Sequence, residues 1–276
     1  MKIFTFCSFK GGTAKTSTAL HLGSCLAKFH GKKVLLIDFD SQANLSIGLG
    51  VGPDSLSTMV PVLKGECSIS DVIKDTSVEG MSLVASNTYL DGIERTAELC
   101  SDPYSHELLR RSLKPVENEF DFCFIDTPPS LGWLTQSAFL ASHHSVICAI
   151  PEAYSILALR RLKDFQQSIC KYHAIDVFGI VLSFWDSRGA TNVDLLEEIE
   201  KSFSKKIFEC KVRRDVVVSR STLKGQTVFQ FDPSSRAAED YKALTNEFVQ
   251  RLFGSGIKEL LLNKKPNPQK VEDVQI

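Results

Sequence analysis

The sequence has no apolar run approaching the ~20 residues that a membrane-spanning helix needs, no C-x-x-C pair and no marked excess of charge. The first lack argues against a transmembrane protein. Eight cysteines, at positions 7, 25, 67, 100, 123, 148, 170 and 210, are scattered and sit mostly inside apolar runs. That spacing suits reduced core thiols and argues against a zinc site or a disulfide framework. A formal net charge of -1 over 276 residues removes any general attraction for nucleic acid, so such binding has to come from a local basic patch. Nor is there an apolar stretch ending in a small-residue cleavage site near the start. Lys2 leads straight into IFTFCSF, which predicts no secretory signal and a cytosolic protein. Internal repeats and long linkers are missing too, which favours a single domain over two.

What is present is an ordinary globular composition, 43% hydrophobic and 24% charged, arranged in alternating elements. IFTFCSF is continuously apolar, as a strand covered on both faces would be. Thr16 to Phe29 places Leu20, Leu22, Leu26 and Phe29 mostly on one side of a helix that Gly31 ends. KVLLIDFD (33–40), FDFCFID (120–126), SVICAI (145–150) and VFGIVLSF (177–184) are further short apolar runs separated by stretches of helical period. Alternation of this kind implies an α/β fold, a mostly parallel sheet with helices on both faces. Met81 to Ala85 reads as another strand, and Tyr104 to Leu113, Val193 to Phe203 and Arg236 to Phe253 as helices. The domain is expected to span residues 1–255, followed by a mobile tail over 256–276 that is polar and proline-bearing from Lys264 on.

Chemistry is carried first by FKGGTAKTS (9–17). The phosphate-loop pattern G-x-x-x-x-G-K-S/T asks for glycine where this chain has Phe9 and Ala14, and the chain adds a lysine, Lys10. The segment nonetheless closes a strand and opens a helix, the place where backbone N–H groups and a helix dipole hold phosphate oxygens. Gly11 and Gly12 would let the backbone close around phosphates, Lys15 would reach the outer ones, and Thr16 would ligate magnesium. The bland alternative is a glycine-rich turn between strand and helix. Against it stand three acidic strand tips, Asp38, Asp40 and Asp126. A carboxylate buried at the end of an apolar strand has to meet a cation or a donor, although turn and cap residues also occur there.

Taken together, KGGTAKTS, VLLIDFDSQAN and FDFCFIDTPPSLG resemble the deviant Walker A ATPases of the ParA/MinD/Soj group, most closely the ParA partition ATPases. The likeness extends through IPEAYSILALRRL, GIVLSFWDSR and FDPSSRAAEDYKAL, covering residues 2 to 253. It implies an ATP and Mg2+ site built from Lys10, Gly11, Gly12, Thr13, Ala14, Lys15, Thr16 and Ser17, with Thr16 and Asp126 toward the metal. By the same resemblance Lys15 binds the β/γ-phosphates, Asp40 helps position the attacking water with Asp38 beside it, and Asp126 acts on magnesium through water. Lys10 would be the signature lysine that reaches the partner's nucleotide in an ATP-bound homodimer. The family usually carries glycine where Ala14 stands. An alanine methyl is tolerable there if φ is helical and harmful if φ is positive, and nucleotide binding is expected to survive.

The phosphate loop begins nine residues in, which matches the small partition ATPases. The resemblance then implies nucleotide-gated binding to non-specific double-stranded DNA, through Arg188, Arg213, Arg214, Arg220 and Lys224. It also implies slow hydrolysis stimulated by a ParB-type partner, and a cytoplasmic, nucleoid-associated location. Phosphate contacts of this kind give affinity without sequence preference, and each of these cations could equally be part of a solvated face. A MinD-like membrane-positioning ATPase is the alternative, since FVQRLFGSGIKELLLNKK (248–265) has some amphipathic character. Gly254 and Gly256 interrupt it, and docking of a final helix explains most of its apolar positions. A redox or small-molecule synthetase use of the loop is a third class, and no cysteine follows closely after Asp126 to bridge a cluster. His143 and His144 read as surface residues.

Overall fold

The computed structural model describes residues 1–254 apart from 53, 94–95, 97–101, 103, 153–154, 187–189 and 204–205. Strand β1 (Lys2–Cys7) is followed by α1 (Lys15–His30), β2 (Val34–Asp38), the short helices α2 (Asn44–Gly48) and α3 (Met59–Leu63), β3 (Ile73–Asp75), β4 (Met81–Val84) and α4 (Leu90–Ile93). Then come α5 (Leu108–Ser112), β5 (Phe122–Asp126), α6 (Trp133–Ala141), β6 (His144–Ala149), α7 (Ser155–Ile169), β7 (Asp176–Trp185) and α8 (Ala190–Phe203). The last elements are β8 (Val212–Arg213), α9 (Val216–Thr222), α10 (Val228–Phe231) and α11 (Arg236–Phe253). The eight strands form one sheet in the order β3-β4-β2-β5-β1-β6-β7-β8.

Pairing is parallel everywhere except between β3 and β4. The central strands β2 and β5 are buried along their whole length, so their apolar residues face helices on both sides and show no alternation. On one face α1 and α11 cover Phe4, Phe122 and Phe124, and Phe248 of α11 meets all three rings edge-on or tilted. On the other, α3, α5 and α6 cover Leu35, Ile37 and Ile125. The α/β sheet expected from the sequence is therefore the one observed.

Several elements differ in detail. The stretch 104–113 is not one helix: a 3-10 turn at Ser105–Glu107 precedes α5, and a second follows it at Lys114–Val116, where Pro115 lacks the N–H that further helix needs. β3 and β8 are too short and too polar, IKD and VR, to have carried a period. Phe248 is fully buried in the core while Phe253 is 47% exposed, so α11 docks on the core through Phe248. The rest of the amphipathic stretch, including Ile257 and Leu260 to Leu262, lies outside the described residues, as does the tail. Seven cysteines, those other than Cys100, are unpaired, with Cys7, Cys25, Cys123 and Cys148 buried. His143 is exposed, and its Nδ1 accepts the Ile3 N–H at 3.0 Å.

A feature without a sequence signal is His21 on α1. It is fully buried against Tyr241 and Phe229, with ring centroids 4.7 and 6.3 Å away, and neither nitrogen has a hydrogen-bond partner. Burial pushes its pKa down from 6.5 to about 3. The unfolded chain therefore takes up a proton below pH 6.5 that the native state refuses until about pH 3, so this contribution is constant above 6.5 and stability is lost on acidification. At pH 5 the loss amounts to about 2 kcal/mol. Urea unfolding at pH 7.5 and pH 5 should show that drop in the wild type and a smaller one in His21→Leu; equal drops would contradict it.

Candidate functional site

The carboxyl ends of β1, β2 and β5 meet at one edge of the sheet. There the loop 8–14 leaves β1 and enters α1 without a side-chain cap and with no acidic residue in the first turn of the helix. The first N–H groups of a helix have no intrahelical acceptors, and here they open on a cavity of about 510 Å³. Its walls include Lys10 to Ser17, Asp40, Gln42, Asn44, Pro129 and Phe184. That volume is within the range of small-ligand sites, and all eight residues of KGGTAKTS reach it.

Lys15 crosses the floor and donates to Asp126 Oδ1 at 2.6 Å, an ion pair in which the side chains are 7% and 1% exposed. Burial alone would lower the lysine pKa, but the Asp126 carboxylate overrides it and the net shift is upward. Asp126 Oδ2 and Thr13 Oγ1 are both buried without partners. A buried carboxylate oxygen with an unused lone pair beside a hydroxyl-bearing loop is a fitting donor set for a hydrated hard cation. Thr16 lines the same cavity.

Asp40 lines the cavity and accepts the Gln42 N–H at 3.0 Å; burial raises its pKa against that hydrogen bond and Lys15. Asp38 is placed differently. It pairs in register with Asp126 across β2 and β5 but lies behind the wall, with Oδ2 accepting from Ser46 N and Oγ at 2.8 and 2.7 Å and Oδ1 from Asp40 N at 3.3 Å. Burial, then the nearby Asp126, pushes its pKa up to about 7. Lys10 sits on the rim, half exposed, and forms an ion pair with Glu152 beyond β6.

The described residues contain three non-glycine positions with positive φ: Ala14 at 59°, Ala43 at 52° and Phe184 at 55°. Ala14 and Phe184 line the cavity, and Ala43 lies between its wall residues Gln42 and Asn44. Strain of this kind persists where the surroundings dictate it and gathers at functional sites. The alanine methyl at position 14 thus meets the unfavourable condition, at a cost of roughly 1–2 kcal/mol. Ala14→Gly should relieve it, partly offset by a freer unfolded chain, for a net gain of about 0.5–1 kcal/mol and a Tm about 2 °C higher. A lower Tm by calorimetry would contradict the strain.

The basic residues are dispersed. Arg213 is committed to Asp240, donating through Nε and Nη2 at 3.0 and 2.7 Å, and Arg214 stacks on the Phe184 ring at 5.5 Å. Both line a second cavity of about 860 Å³, with Lys211 and Arg236, that shares Phe184 with the first. Arg220 and Lys224 are exposed on and after α9, and Arg188 lies outside the described residues. Sequence reasoning missed Phe184, Glu152 and Ser46. Glu152 and Phe184 stood in quoted segments but had no pattern to single them out, and Ser46 is defined by contacts between elements far apart in the chain.

A helix start and a lysine–aspartate floor at the carboxyl edge of a parallel sheet are the marks of the P-loop class of α/β proteins. Comparison with known proteins narrows the class. A family model described as an AAA domain matches residues 1–177. A ParA family protein of Chlamydia muridarum is 47% identical over 249 residues, 90% of this chain and 98% of that one. The sporulation initiation inhibitor protein Soj of Bacillus subtilis is 34% identical, over 89% of this chain and 97% of its own. Among solved structures, cobyrinic acid a,c-diamide synthase of Mycobacterium smegmatis with bound ADP and magnesium superposes with a TM-score of 0.79 at 25% identity. That match covers 91% of this chain and 95% of the synthase. The chain belongs to the ParA family of P-loop ATPases. Among the described residues no helix is long and apolar enough to cross a membrane.

Proposed function

We propose that the chain is a partition ATPase, a Mg2+-dependent switch that dimerises on ATP, binds DNA without sequence preference and is reset when a ParB-type partner stimulates slow hydrolysis. The observation that carries this reading is the buried Lys15–Asp126 pair set under the uncapped start of α1. On nucleotide binding Lys15 would turn from Asp126 to the β/γ-phosphate oxygens, with the amides of Gly11 to Ser17 around them. Thr16 and, through water, Asp126 would hold Mg2+, which supplies charge neutralisation on the phosphates. Asp40 is the group that would orient the attacking water. Phosphoryl transfer asks for positioning and charge more than covalent chemistry, and these residues offer both.

Lys10 would act from a second copy. Its contact with Glu152 is an exposed pair, worth under about 1 kcal/mol, and so gives way readily to a phosphate. For DNA, Arg214, Arg220 and Lys224 are available at the surface, whereas Arg213 would first have to leave Asp240; Arg188 is the further candidate that the sequence offers.

The test is binding of purified protein to random-sequence duplex DNA with ATP, ADP or no nucleotide across a salt series, in the Asp40→Ala background to slow hydrolysis. Binding with ATP alone that weakens steeply with salt is the expected result. Equal or absent binding in all three states would overturn the DNA reading. Pelleting with anionic liposomes only with ATP would favour the membrane-positioning alternative.

A further inference from the structure

The cavity wall formed by residues 40–48 hangs on a buried hydrogen-bond chain that none of the roles above uses. Ser86, just after β4, donates its N–H to Ser46 Oγ at 2.9 Å. Ser46 Oγ lies 2.7 Å from Asp38 Oδ2, and the Ser46 N–H reaches the same oxygen at 2.8 Å. Because the Ser86 amide can only donate, the Ser46 hydroxyl receives it and sends its own proton to Asp38. The chain therefore runs in one direction, Ser86 to Ser46 to Asp38. All three residues are buried, at 0%, 1% and 0% exposure.

The arrangement joins three elements. Asp38 closes β2, Ser46 is the third residue of α2, and Ser86 leaves the neighbouring strand β4. Between Asp38 and Ser46 the chain makes a pinned turn: Asp40 N–H points back to Asp38 Oδ1, Ala43 N–H to Asp40 O at 2.9 Å, and Ile47 N–H to Ala43 O at 2.9 Å. Ala43 holds its positive φ in the middle of this turn. Both Asp38 oxygens are thus occupied by segment 40–46, and Asp38 itself is not part of the cavity wall, whereas Asp40, Gln42 and Asn44 are.

We propose that Ser46 is a positioning residue: its hydroxyl, held by the Ser86 amide, locks Asp38 to α2 and so fixes the depth at which Asp40 enters the cavity. This rests on the ATPase reading above. Deleting the hydroxyl leaves the Ser86 amide buried without an acceptor and removes one of three donors to Asp38, so the tie to β4 is lost and the turn holds its depth less firmly. Displacements of about 1 Å at a group that orients a reactant cost on the order of 100-fold in rate. In that reading the phosphate contacts come from loop 10–17, which lines the same cavity and is not part of this hydrogen-bond chain.

The experiment is steady-state ATP hydrolysis and nucleotide affinity for wild type, Ser46→Ala, Asp40→Ala and the double variant. Ser46→Ala should lower kcat by about 10- to 100-fold while nucleotide Kd stays within about threefold. In the Asp40→Ala background the same change should alter kcat by less than about twofold, because Ser46 acts through Asp40. An equal loss in both backgrounds, or a Ser46→Ala kcat equal to wild type, overturns the role of Ser46 alone. A wild type that binds and hydrolyses no ATP overturns the reading beneath it and the proposal with it. If Ser46→Ala does not fold, Ser46→Cys keeps the volume and weakens the donor. A reduced kcat is then expected from it, and an undiminished one overturns the proposal.

Discussion

Lys15→Gln is expected to lower stability by about 3–5 kcal/mol and to weaken ATP binding by at least about 30-fold. Both effects come from one geometry. The ammonium group and the Asp126 carboxylate are almost fully buried on the cavity floor, and removing one member of such a pair leaves the other charge buried and uncompensated. Nucleotide affinity falls because the same ammonium is the charge available on the cavity floor, and truncating a desolvated charge partner costs 2–5 kcal/mol or more, about 30-fold or greater. The two effects can be separated. Lys15→Met combined with Asp126→Leu removes both charges and should recover most of the stability in urea unfolding, yet no ATP binding by calorimetry. A Lys15→Gln protein as stable as wild type with unchanged affinity would remove this pair from the centre of the site.

Asp40→Ala is expected to leave ATP affinity within about threefold and to lower kcat by about 10²–10⁴, the range that a positioned acid–base group contributes. The carboxylate is buried at the cavity wall and costs the fold something to hold there, as the upward shift of its pKa shows. Its removal should therefore not destabilise the protein. Hydrolysis under saturating ATP, measured beside the unfolding curve, checks both halves. Unchanged kcat would take Asp40 out of the reaction, and a large loss of stability would mean that the side chain serves the fold.

The sheet was legible because its strands are buried on both faces and their apolar runs are uninterrupted. The short elements were not, since β3 and β8 are defined by pairing with neighbours rather than by any period in IKD or VR. At the site, KGGTAKTS stood out through residue types at fixed spacing, and all of it reaches one cavity. What the chain could not announce was conformation and partnership. The sequence has an alanine at position 14, but only the backbone shows that it is left-handed. Asp38 and Asp40 look alike as strand-tip carboxylates, and only Ser46 and Gln42 tell them apart. Arg213 and Arg214 are neighbours in one basic segment, yet one is held by Asp240 and the other rests on Phe184.

The left-handed alanines have a consequence for how the site captures its ligand. Glycine at positions 14 and 43 would give the two loops facing the cavity a wide range of backbone states, and ordering them around phosphates would draw on binding energy. Alanine narrows that range before any ligand arrives, because the folding of the sheet has already forced both turns into shape. The loops then have less left to lose on capture, and a share of the entropy of recognition has been moved from the binding step to the folding step.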